Sequence, residues 1–258
     1  MLSKNKIKYI HSLSNKKRRN ADNVYVAEGP KIVADILIRQ RAKTLIATEE
    51  WLEANATLSQ RSDETICITE EELHKISQQP SPQKVLGVFS QQHPVIEAAD
   101  IAKKLVLALD GVQDPGNLGT IIRIADWFGI DTIVCSQDTV DVYNPKVIQA
   151  TMGSIARVNV VYTSLCSFIE ALPPYYPVYA TLLDGKDIYQ TQLAEYGMIV
   201  MGNEGNGISA EVKAVISNKL LIPTFATSVD KADSLNVAIA TAIVCSEFRR
   251  KTTSLSSR

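Results

Sequence analysis

The sequence predicts an α/β protein in two parts, a small unit over residues 1–95 and a larger one over 104–258 built on a mostly parallel sheet. Three observations carry this reading. The chain has 258 residues, 45% hydrophobic and 21% charged, which is ample apolar content for packed cores and close to the size at which one core gives way to two. From Leu105 onward, apolar runs of strand length alternate with amphipathic runs of helix length, the pattern of a parallel α/β sheet. Charge is uneven: residues 1–50 hold 11 Lys or Arg against 5 Asp or Glu, while the remainder holds 16 against 23. A basic end on a mildly acidic body is how a nucleic-acid-binding module reads.

Taken in order, Ile7–Leu13 has helical spacing and is followed by a basic loop, Asn15–Asn20. Val24–Ala27 is a short strand. Glu28-Gly29-Pro30 turns the chain into a helix whose Ile32, Val33, Ile36 and Leu37 fall on one face. Leu45–Ala47 and Thr65–Ile68 are expected as strands, with helices at Trp51–Ala54 and Glu70–Ser77. Gln79-Pro80-Ser81-Pro82 is a loop, Val85–Phe89 a strand, and the polar stretch Gln91–Lys103 a linker. Beyond it come a strand at Leu105–Leu109, a helix from Leu118 to Phe128 and a strand at Thr132–Ser136. Asn144 and Pro145 start a helix to Ile155, as N-cap and first helical residue. Strands follow at Val158–Tyr162, Val178–Leu183, Met198–Gly202 and Leu220–Pro223, and a long apolar helix runs from Ser234 to about Arg250.

Several function classes drop out. Cys67, Cys135, Cys166 and Cys245 have no C-x-x-C spacing and read as free thiols of a reducing, cytoplasmic compartment. No apolar run approaches the roughly 18–20 residues that cross a bilayer. His11, His74 and His93 are scattered, so no metal cluster is expected. Residues 1–20 lack acids and contain three serines, a transit-peptide composition, but the cations are mostly Lys and no cleavage-like break follows.

Chemistry concentrates in three loops. The first is Asp110-Gly-Val-Gln-Asp114-Pro115-Gly116-Asn117-Leu-Gly119-Thr120-Ile-Ile-Arg123, where Pro115-Gly116 suits a type II turn and Asn117 can cap a helix. Arg123 lies on that otherwise apolar helix, and its bland reading is an ion pair with Asp126 at i+3. The second is Gly202-Asn203-Glu204-Gly205-Asn206-Gly207, at a strand end, where backbone amides can face a ligand. Its spacing is not G-x-G-x-x-G and no P-loop exists, which excludes a nucleotide-binding oxidoreductase of the usual kind. The third, Asp233-Ser234-Leu235-Asn236-Val237, opens the last helix. In open parallel sheets ligands bind beyond the carboxyl ends of the strands, where the two glycine loops lie.

Together, Asp-Pro-Gly-Asn-x-Gly-x-x-x-Arg, Gly-Asn-Glu-Gly-x-Gly and Ser-Leu-Asn-Val, in this order, resemble the SpoU, or TrmH, family of RNA ribose 2′-O-methyltransferases. The likeness spans about 105–248 and includes Tyr143-Asn144-Pro145-Lys146 and Ala150-Thr151-Met152-Gly153-Ser154. Ile7–Leu13, Lys16-Lys17-Arg18 and Val26-Ala27-Glu28-Gly29 resemble the family's ribosomal-protein-like RNA-binding extension. The resemblance implies a C-terminal α/β domain tied in a deep trefoil knot, a homodimer, S-adenosylmethionine as cofactor and ribosomal or transfer RNA as partner. By the family's pattern, Gly202, Asn203, Glu204, Gly205, Ile222, Ser234 and Leu235 hold the cofactor. Asn117, Arg123, Glu204, Ser234 and Asn236 fall at catalytic and target-ribose positions, and Lys16, Lys17, Arg18 and Arg19, with Arg123, hold RNA. The 224–232 stretch departs from the family, being longer and without its glycine.

A sulfonium is already an activated methyl donor and needs no metal. The acceptor is the difficulty, because a ribose hydroxyl reacts well only when its developing charge is stabilised. A guanidinium does not release its proton, so Arg123 is read as a cation that positions a phosphate and stabilises the alkoxide. The competing class is a non-catalytic RNA-binding or ribosome-assembly protein that retains the fold.

Overall fold

The computed structural model describes residues 2–228, 230 and 232–250; the end of the expected second part, 251–258, and positions 229 and 231 of the 224–232 stretch lie outside them. In chain order the elements are α1 (Lys4–Ser12), α2 (Lys16–Asp22), β1 (Val24–Glu28), α3 (Pro30–Arg39), β2 (Ala42–Ala47), α4 (Glu49–Ala54), α5 (Ala56–Ser59), β3 (Thr65–Cys67), α6 (Glu70–His74) and β4 (Val85–Ser90). They continue with β5 (Leu105–Asp110), α7 (Pro115–Trp127), β6 (Thr132–Cys135), α8 (Pro145–Thr151), β7 (Asn159–Tyr162), α9 (Leu165–Glu170), β8 (Val178–Asp187), β9 (Gly197–Gly202), α10 (Ala210–Ala214), β10 (Asn218–Leu221) and α11 (Val237–Arg250). The chain forms two compact units: residues up to His93 with Asp141–Arg157, and Pro94–Val140 with residues from Val158 onward.

The first unit is a four-stranded sheet in the order β1-β4-β2-β3, with β4 antiparallel to β1 and β2, and β3 parallel to β2. One face packs Ile10, Leu13, Val24, Val26, Ile46, Leu86 and Val88 into a core. Helix α3 buries the four apolar residues that its spacing marks, Ile32, Val33, Ile36 and Leu37. Two sequence expectations fail here. Asn15–Asn20 is not a loop: the Asn15 side chain accepts from the Lys17 N–H at 2.8 Å, which starts α2 as an N-cap starts a helix. The helix expected to run to Ile155 ends at Thr151, because Met152 and Gly153 both take positive φ and break it.

The second unit is a six-stranded sheet, β10-β8-β9-β5-β6-β7, every adjacent pair parallel. All residues of β5 and β6 are buried, as befits a parallel sheet covered on both faces. Helices α7 and α11 pack against each other. The strand order is not sequential, since β9 lies between β8 and β5. The β5–β9 register sets Asp110 beside Gly202, so the first two sequence loops leave the sheet from adjacent strand ends. Helices α9 and α10 are short and carry no spacing long enough to mark them.

Candidate active site

The loop after β5 is shaped by Asp114, whose carboxylate accepts from the Asn117 N–H at 2.8 Å and caps α7, with Pro115 at the first helical position. This corrects the turn-then-cap expectation: Asn117 is inside the first turn, and the stronger cap lies three residues earlier. The loop after β9 is closed on itself by paired backbone bonds between Asn203 and Gly207 (2.9 and 3.0 Å). The Asn203 side chain gives the loop its shape. Its Oδ1 accepts from the Gly205 and Asn206 amides, and its Nδ2 donates to the Gly111 carbonyl at 2.6 Å. The buried Asp110 carboxylate accepts from the Ser209 N–H at 2.7 Å, fastening the far end of the same loop to β5.

Gly202 is required by close approach, because a Cβ there would overlap the Gly207 carbonyl carbon and the Ile208 nitrogen. Gly207 takes φ +68 with nothing within 4 Å of the place a Cβ would fill. The first is a packing constraint; the second presents open backbone.

A directional hydrogen-bond chain then joins the three loops. The last helix begins at Val237, not Ser234, and Asn236 Oδ1 accepts from the Ala238 and Ile239 amides (3.0 and 3.3 Å). That fixes which way the Asn236 amide points, and its Nδ2 donates to Asn117 Oδ1 at 2.9 Å. Asn117 Nδ2 consequently faces Glu204 and donates to its carboxylate at 2.8 Å. Arg123 is exposed on α7 and makes no ion pair or hydrogen bond among the described residues, so the Asp126 pairing is not formed. An unneutralised guanidinium thus stands on the helix that carries Asn117.

The structure therefore brings together Asn117, Glu204 and Asn236, with Gly202, Asn203 and Gly205 in the same loop system. Ser234 is exposed and Leu235 is half exposed immediately before the cap. Ile222 follows the edge strand β10, and among the described residues no hydrogen bond ties it to the 203–207 loop. Through the described residues 222–228 and 232–236 the chain has no regular secondary structure. Among the described residues no cluster of His, Cys, Asp and Glu could hold a metal ion. Asp110 and Asp114 belong to the site by these bonds; the sequence places both in the first motif loop but gives neither a role. An acid at a strand end and an acid before Pro are the signals that could find them.

Residues 104–246 match the model of the SpoU rRNA Methylase family. The chain belongs to that family. Residues 4–87 of this SpoU member match a second model, an MRM3-like substrate binding domain. The chain is 32% identical to the Bacillus subtilis 23S rRNA (guanosine(2553)-2′-O)-methyltransferase RlmP, over 95% of its own length and 96% of that protein's. Among solved structures, a putative RNA methyltransferase of the TrmH family from Porphyromonas gingivalis is 41% identical, with TM-score 0.85 over 97% of this chain and 99% of that one. The AdoMet-bound rRNA methyltransferase from Sinorhizobium meliloti is 32% identical, with TM-score 0.85 over 97% and 96%.

In the SpoU chain's first unit the four adjacent cations divide. Lys16 and Lys17 are exposed and make no ion pair among the described residues. Arg18 pairs with Asp22 at 2.9 Å and lies over the Tyr9 ring. Lys17 and Arg18, with Ser12, Ser14, Asn15 and Ala21, line a shallow cleft between α1 and α2. Arg19 departs from the expectation that all four hold RNA: it is 2% exposed and bonded to Asp141 at 2.6 Å. The helical turn that replaces the loop points one side chain of the run inward, and Arg19 is the one that turns in.

Proposed function

We propose that the protein transfers a methyl group from S-adenosylmethionine to a ribose 2′-hydroxyl of structured RNA, with ribosomal RNA as its substrate class. The observation that carries the reading is the Glu204–Asn117–Asn236 chain, which joins the three family motifs while leaving Arg123 unpaired among the described residues. A retained fold without activity would have no need of either feature. The residues present fit the cofactor: the 203–207 loop offers open backbone at Gly207, and Leu235 offers exposed apolar surface. Gly202, Asn203, Glu204, Gly205, Ile222, Ser234 and Leu235 would hold it, Asn203 by shaping the loop. When bound, the sulfonium supplies an electrophilic methyl that requires no metal.

The rest of the reaction falls to this chain's side chains. Arg123 stabilises charge on the attacking oxygen and anchors a neighbouring phosphate, a role for a permanent cation and not for a base. Asn117 is held with its amide between Glu204 and Asn236, so the loop bearing it keeps one geometry as RNA arrives. The full-length likeness to a methyltransferase of 23S rRNA supports ribosomal over transfer RNA. A homodimer belongs to this reading, supported by Trp127 and Ile239 lying 85% and 53% exposed on α7 and α11. Sedimentation should then give twice the 28.3 kDa chain mass.

The test is incubation with methyl-labelled S-adenosylmethionine and rRNA, followed by mass spectrometry of nucleosides. The expected product is a single 2′-O-methylnucleoside. A protein that binds both ligands yet transfers no methyl would favour the non-catalytic RNA-binding reading.

A further inference from the structure

Arg19 is the fully buried side chain of greatest volume among the described residues, and it sits in a run otherwise turned to solvent. Its guanidinium donates to the carbonyls of Leu13 (3.0 Å) and Ser14 (2.7 Å) and to Asp141 Oδ2 (2.6 Å). The first two bonds close the turn between α1 and α2, the walls of the cleft that Lys17 and Arg18 line. The third reaches a segment 122 residues away. Asp141–Arg157 lies in sequence within the stretch matched by the methylase model, yet it packs with the substrate-binding unit. It is held there at several points. Tyr143 both donates to the Gln92 carbonyl (2.7 Å) and accepts from the Gln92 amide (2.6 Å), and its ring lies 4.8 Å from that of Tyr25. Arg157 bonds Asp35 at 3.2 Å, and α8 packs on β1.

We infer that Arg19 and Asp141 are positioning residues for RNA: Arg19 touches no phosphate and instead, through Asp141, fixes α2 so that Lys16, Lys17 and Arg18 face the backbone of the RNA. The inference rests on the reading that this cationic face holds RNA. A buried guanidinium with three oxygen partners sets the rotation of α2 about its axis, and that rotation decides where the neighbouring cations point. Lysine cannot replace it, because a single ammonium lacks the planar fork that spans two carbonyls and a carboxylate.

The experiment measures RNA affinity as a function of salt on the full-length protein, using a 23S rRNA fragment. Arg19→Lys, Asp141→Asn and the triple Lys16→Ala, Lys17→Ala, Arg18→Ala variant are compared, each checked for folding by circular dichroism. A positioning role has a signature in sign and slope. Arg19→Lys and Asp141→Asn should each weaken RNA binding by roughly fivefold or more and lower the slope of log K against log salt by less than the triple variant does, since all three cations are still present but no longer all meet a phosphate. The triple variant should lower that slope by about 0.7–0.9 for each cation–phosphate pair it removes. If Arg19 itself bound phosphate, Asp141→Asn would free it and strengthen binding, which overturns the inference. Folded Arg19→Lys and Asp141→Asn proteins with parental affinity would likewise reduce the pair to a stability role. An unchanged slope in the triple variant would instead overturn the underlying reading of α2 as the RNA face.

Discussion

Arg123 is where structure and sequence bear hardest on each other. Spacing alone favours a bland i,i+3 pair with Asp126; the structure leaves the guanidinium exposed and unpaired among the described residues. Arg123→Ala should accordingly shift stability by no more than about 0.5 kcal/mol, as exposed substitutions do. It should leave S-adenosylmethionine affinity near parental while lowering the single-turnover methylation rate by roughly 10²-fold or more, the scale of losing one preorganised donor. Arg123→Lys should rescue poorly if the planar fork matters. A folded Arg123→Ala protein with the parental rate removes Arg123 from the chemistry. Asn117 is different in kind, since it acts through two hydrogen bonds that close the site. Asn117→Ala should cost about 1–3 kcal/mol in thermal unfolding, for two net bonds, and weaken cofactor binding measured by titration calorimetry. Unaltered cofactor affinity would mean the three loops hold their places without it.

At the scale of elements, the motif glycines separate cleanly. Gly202→Ala must push the 207–208 backbone away and open the Asn203–Gly207 closure, a strain of about 1–3 kcal/mol placed inside the loop. Gly207→Ala meets open space and bears only its positive φ, about 1 kcal/mol. Cofactor binding should be lost in the first and retained within about tenfold in the second; the reverse order in calorimetric titrations would show that Gly207, not Gly202, sets the loop. Periodicity alone makes the strands of both units and the buried face of α3 legible in the sequence. Caps are less so. Asp114 and Asn236 each displace the helix start that the sequence suggests, because cap choice depends on which side chain reaches the free amides. Helix α2 is hidden in the sequence since four consecutive cations mask one inward-facing position, and the partner that identifies it is 122 residues distant.

Across the molecule, the three motifs mark Asn117, Glu204 and Asn236, the residues that the hydrogen-bond chain joins. They cannot mark that Asp141–Arg157 folds with the first unit, because that depends on the packing of Tyr143 with Gln92 and Tyr25. The same packing has a consequence at high pH. Burial pushes the Tyr143 phenol up to about 12 and raises the Tyr25 phenol packed against it; in the second unit, apart from this packing, desolvation raises the Tyr176 phenol as well. A raised folded pKa contributes stability that is complete below the ordinary value near 10 and is lost as pH climbs from there toward the folded pKa. Alkaline titration at 295 nm should therefore ionise only part of the nine tyrosines before cooperative unfolding releases the rest. Nine phenols titrating together near pH 10 in folded protein would show these rings to be accessible.

What the chain does to RNA in the cell is tested most directly by mapping ribose methylation across total RNA from a deletion strain, with wild-type and Arg123→Ala complementation. The expected result is the disappearance of a 2′-O-methyl group at one ribosomal RNA nucleotide, restored by the wild-type protein and not by Arg123→Ala. An unchanged ribose methylation map in the deletion strain, or restoration by Arg123→Ala at the wild-type level, would contradict a 2′-O-methyltransferase that works through this site.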